Sequence, residues 1–115
     1  MKDDRLYLIH ILECIERIET YVAGGGKPAF MASTLTQDAV LRNLQTLAES
    51  TQRLSSALKE ARTGVDWDGI SGFRNVLVHD YLGLDVDAVW NIVEGDLPNL
   101  KRSIQTMMQE LDGKS

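Results

Sequence analysis

Arg74-Asn75-Val76-Leu77-Val78-His79-Asp80-Tyr81 places five strongly polar or titratable side chains around an apolar run. Their types suit phosphodiester chemistry. A neutral His79 can take the proton from a ribose 2′-hydroxyl, and a protonated one can return a proton to a leaving oxygen. Arg74 offers a planar, permanently charged fork that grips a phosphate and offsets developing charge. Use of a 2′-hydroxyl would make such cleavage selective for RNA and independent of metal. The same residues admit a structural reading, in which Arg74 pairs with an acid, His79 caps a helix end and Tyr81 fills a core.

The spacing limits how one helix can present them. Asn75 and His79 are four apart and share a face, as do Arg74 and Tyr81 two turns apart. Arg74 and His79 are five apart, which is about 140° around a regular helix. They converge on one small group only if the helix ends near His79 or a second copy completes the site. A symmetric dimer would gather two Arg and two His in one cleft.

Other candidates are weaker. His10 and Cys14 share a helix face, but no second pair exists to complete four ligands, so no metal site is expected. Gly24-Gly25-Gly26-Lys27 fails as a phosphate loop, since Tyr21 holds the first glycine's place and Pro28 follows the lysine. It reads as a helix stop. No serine is marked as a triad nucleophile. Met107-Met108 reads as core or interface filling.

Residues this sparse in chemistry need a scaffold, and 115 residues supply one domain, expected to span 1–115 with a frayed tail at 112–115. Hydrophobic residues make up 43%, enough for a core without staples. The lone Cys14 excludes an internal disulfide and a Cys-rich zinc site. No apolar run approaches a membrane span, and no apolar stretch follows the N-terminus as in a signal peptide, so a cytoplasmic protein without membrane contact is expected. A formal charge of −5 argues against a protein that coats nucleic acid, though not against a locally basic cleft.

Periodicity predicts helices throughout. Leu8, Ile11, Leu12, Ile15, Ile18, Tyr21 and Val22 form a stripe from Arg5 to Val22. Residues 28–34 read as a connection with Phe30 and Met31 packed underneath. A long second helix comes next, capped by Ser33, Thr34 or Thr36, striped by Val40, Leu44, Leu47, Thr51, Leu54 and Leu58, and ended at Thr63-Gly64. Asp66 caps a third helix bearing Trp67, Ile70, Phe73 and Leu77, where Gly72 is a cost or a close contact. Leu82-Gly83-Leu84 reads as a break. Asp85 caps a fourth helix, Gly95-Asp96 interrupts, and a last helix runs from Pro98 through Leu111. The fold class is all-α, an antiparallel bundle of four to five helices, expected as a symmetric homodimer.

The segment Arg74 to Tyr81 resembles the Arg-x4-His-x-Tyr motif of the HEPN superfamily, in its HepT-like toxin branch. The likeness extends to Asp38–Gln45 and Glu49, to Trp67 and Ile70, and to Val89–Val93 with Leu97-Pro98. The resemblance implies a HEPN-like helical dimer acting as a metal-independent endoribonuclease. It implies the toxin role in a type VII-like HepT/MntA toxin–antitoxin pair, with transfer RNA or messenger RNA as substrate. It implies Arg74 and His79 as the catalytic pair and Asn75 as the neighbour holding substrate or His79. Tyr81 would accept AMP from a MntA-type nucleotidyltransferase that uses ATP, while the chain itself needs no cofactor. A second reading is a non-catalytic nucleotide-binding or adaptor subunit of a nucleotidyltransferase complex. Arg42, Lys59 and Arg62 are candidates to extend an RNA path.

Overall fold

The computed structural model describes residues 3–78 and 85–113, and every regular element among them is helical. Helix α1 spans Asp3–Val22, α2 Gly26–Ala32, α3 Thr34–Gln52, α4 Ser56–Glu60 and α5 Trp67–Val78. Helix α6 spans Val86–Asn91 and α7 spans Leu97–Gly113, joined by a π-helical turn at Ile92–Asp96.

Most of the stripe read from the sequence is the core, with Leu12 and Val22 half-buried at its edge and Tyr21 exposed. Leu8, Ile11, Ile15 and Ile18 of α1 meet Val40, Leu44 and Leu47 of α3, all with no exposed surface. Each such side chain contributes about 1.5–3 kcal/mol by leaving water. Helix α7 closes on α1 through Leu100, Ile104 and Met107, and α5 lies on α3. Two exposed ion pairs sit over the α1–α7 seam: Arg5 donates to Asp112 at 3.0 Å and Lys101 to Glu19 at 2.9 Å. Such pairs add little stability.

Five expectations need correction. The connection at 28–34 contains α2, because Gly26 at φ 62° turns the chain and Pro28 falls in a first turn, where its missing N–H costs nothing. Phe30 is buried there, but Met31 is exposed. The long second helix is two helices. Its period continues through Leu54 and Leu58, yet Ser55 starts α4 by accepting a bond from the Leu58 amide at 3.2 Å. Gly95-Asp96 does not interrupt the chain's helical course. The Leu97 amide reaches back to the Ile92 carbonyl, and this wider turn absorbs Pro98, which has no N–H to donate. The described residues therefore hold seven α-helices and one π turn rather than four or five helices. The expected break at Leu82–Leu84 lies outside the described residues.

The expected caps at Ser33, Asp66 and Asp85 are all present. Ser33 accepts from Thr36 at 3.1 Å, Asp66 from Gly69 at 2.9 Å and Asp85 from Ala88 at 3.1 Å.

Candidate active site

Helix α5 carries the first half of the polar motif, and local chemistry fixes where it starts. The Gly69 amide donates to the Asp66 cap at 2.9 Å, and a Cβ at position 69 would crowd the Asp66 carboxylate. The Trp67 indole donates to the Lys59 and Arg62 carbonyls, each at 3.2 Å, which pins the helix start to the end of α4. Ile70 and Phe73 are each 6% exposed and anchor the helix against α3.

That anchor sets the register of the rest of α5. Position 74 lies about 100° around the helix from buried Phe73, and position 75 about 200°. Arg74 and Asn75 therefore stand on α5 at register positions turned away from the one Phe73 takes. His79 and Tyr81 lie outside the described residues, and with them the pairing of Arg74 with His79.

The remaining candidates take structural places. Cys14 is buried, and burial pushes its thiol up from the ordinary value. His10 is exposed, its ring edge-on to Tyr7 with centroids 6.4 Å apart. No group of three His, Cys, Asp or Glu among the described residues could hold a metal. Gly25 and Gly26 both take positive φ, so the glycine run is a helix stop, in line with its sequence. Met107 is core.

Of the three cations considered for an RNA path, Arg42 lies on α3 and is exposed. Lys59 donates to the Thr51 carbonyl at 3.2 Å, bridging the break between α3 and α4. Arg62 pairs with Glu110 of α7. Sequence reasoning missed a groove beside the first half of α5, where Gly64 and Gly69 leave space facing Asn99 and Ser103 of α7. Two small residues flanking a capped helix start were its only signal.

Residues 11–107 match the family described as Ribonuclease HepT-like. The chain belongs to the HepT-like ribonuclease family. A protein of Methanocaldococcus jannaschii, named as a gamma-glutamylcyclotransferase with a provisional RNase designation, is 36% identical over 96% of this chain. The chain spans 50% of that relative's length. A protein of Thermococcus cleftensis provisionally named ribonuclease HepT is 31% identical over 88% of this chain and 92% of its own length. A provisionally named RNase of Caldanaerobacter subterraneus subsp. tengcongensis is 28% identical, with 96% of this chain and 98% of that one covered. No solved structure matches. No described helix is long and apolar enough to cross a membrane.

Proposed function

We propose that this chain is an endoribonuclease of the toxin type, cutting RNA without metal through the Arg74-x4-His79-x-Tyr81 motif. Family membership over residues 11–107, a span that contains the whole motif, carries this reading. The relatives' ribonuclease names support the substrate class.

In the proposed reaction the 2′-hydroxyl attacks the adjacent phosphorus and the 5′-oxygen of the next nucleotide leaves. The products are a 2′,3′-cyclic phosphate and a 5′-hydroxyl end. His79 takes the 2′-proton, and a protonated His79, from the same or the second subunit, gives one to the leaving oxygen. Arg74 holds the phosphate and its developing charge. Asn75 orients substrate or His79. The helical bundle pairs as a symmetric homodimer. A shared cleft then overcomes the roughly 140° divergence that one regular helix imposes on positions 74 and 79.

A MntA-type nucleotidyltransferase antitoxin silences the enzyme by moving AMP from ATP to the Tyr81 oxygen, which loses its proton as the new O–P bond forms and pyrophosphate leaves. The added anionic nucleotide would repel and block RNA phosphates. Growth arrest on expression tests the reading: Arg74→Ala and His79→Ala should each relieve it with the fold intact. Full toxicity in both variants would overturn the assignment.

A further inference from the structure

The groove beside α5 has two joined sections of different chemistry. The first, of 290 Å³, has Ile70, Phe73 and Leu100 as an apolar floor, with Asp66, Asp96 and Asn99 on its rim. The second, of 370 Å³, is lined by Arg62 and Arg102 with the hydroxyl residues Thr63 and Thr106. Gly64, Val65 and Ser103 belong to both, so the sections run into one another. An apolar slot edged by carboxylates and a carboxamide suits a heteroaromatic base with exocyclic amino groups. Two guanidiniums beside hydroxyls suit a phosphate.

We infer that this groove is a nucleotide subsite, with the base over Ile70, Phe73 and Leu100 and the phosphate on Arg62 and Arg102. Glu110 now occupies the Arg62 guanidinium, and Arg102 donates to Asn99. A carboxylate stands where a phosphate would sit, so Glu110 competes with the ligand. Phe73 of the floor directly precedes Arg74. The groove and Arg74 share helix α5, so a flanking nucleotide of an RNA strand engaged at the motif is one source of such a ligand, and a free mononucleotide, which would meet the same groups, is the other. The RNA source rests on the ribonuclease reading; the binding site does not.

The test uses His79→Ala protein, so that cleavage is removed from the readout. Calorimetry measures binding of AMP and of a short 2′-O-methyl oligoribonucleotide. Arg62→Ala with Arg102→Ala should weaken binding about tenfold or more, the loss of a charge-assisted contact. Glu110→Gln should tighten it, and the melting temperature of each variant reports the fold. Oligonucleotide binding without AMP binding identifies an RNA strand as the source, and AMP binding alone identifies a mononucleotide. Absence of binding by both probes, or binding indifferent to the two arginines, overturns the subsite. Binding intact in a native protein that cleaves no RNA would support the subsite and count against the ribonuclease reading alone.

Discussion

Asp4 at the start of α1 accepts two hydrogen bonds from Ser55, 51 positions along the chain. The amide lies 2.8 Å from Oδ1 and the hydroxyl 2.7 Å from Oδ2. This clasp holds the break between α3 and α4 against α1, and Asp4 is 6% exposed. Burial alone would raise the carboxyl's pKa, but the hydroxyl and amide of Ser55 help hold it net below the ordinary 3.8.

Asp4→Ala should therefore cost about 1–3 kcal/mol at neutral pH, the cost of leaving buried donors unmade. A folded pKa below the unfolded one stabilises above the unfolded value and loses that contribution as pH falls through the folded one. Urea unfolding at neutral pH and at a pH below the ordinary carboxylate range checks both statements. The native protein should lose stability between them, and the variant should lose less.

Gly72 reads from the sequence as either a cost in stability or a close contact. A Cβ at that position meets nothing within 4 Å among the described residues. Gly72→Ala should raise stability by about 0.5–1 kcal/mol through helix propensity. Thermal unfolding reads the gain. An alanine that gains stability yet loses RNA cleavage would put this face of α5 against substrate or a second subunit.

Phe30 and Trp90 stack with centroids 5.3 Å apart and planes at 42°, which seats α2 against α6. The Trp90 indole N–H is buried with no acceptor among the described residues. Trp90→Phe removes that orphan donor and keeps an aromatic ring, so it should change stability by less than about 1.5 kcal/mol. Trp90→Ala should cost about 3–5 kcal/mol. Equal losses for the two variants would show that the ring stacking contributes nothing.

Residues whose partners lie nearby in sequence were readable. Ser33, Asp66 and Asp85 announce helix starts because a cap needs only three residues of context. The stripe from Leu8 to Ile18 announces a buried face for the same local reason. The break at Arg53–Ser55 was not readable, since Leu54 and Leu58 keep the helical period and the clasp that fixes Ser55 comes from Asp4. The π turn was hidden because Gly95 and Pro98 signal a break as readily as a widened turn. At the site, the motif is a local string and was legible. The groove was not, because Arg62 and Phe73 come to line one space with Asn99 and Arg102 of α7 only in the folded chain.

On the proposed reading, Tyr81 separates silencing from catalysis. Tyr81→Phe should retain RNA cleavage and resist silencing by a MntA-type partner. Incubation with the partner and labelled ATP checks this by mass spectrometry. Labelling of Tyr81→Phe to the native extent would move the acceptor elsewhere.

The most direct test of the central claim is cleavage of RNA by the purified chain in EDTA, beside His79→Ala, after mass spectrometry shows Tyr81 unmodified. The account predicts cleavage by the native protein alone, with 2′,3′-cyclic phosphate ends and no cutting at 2′-deoxy positions. Equal cleavage by His79→Ala, or none by the unmodified native protein, would contradict it.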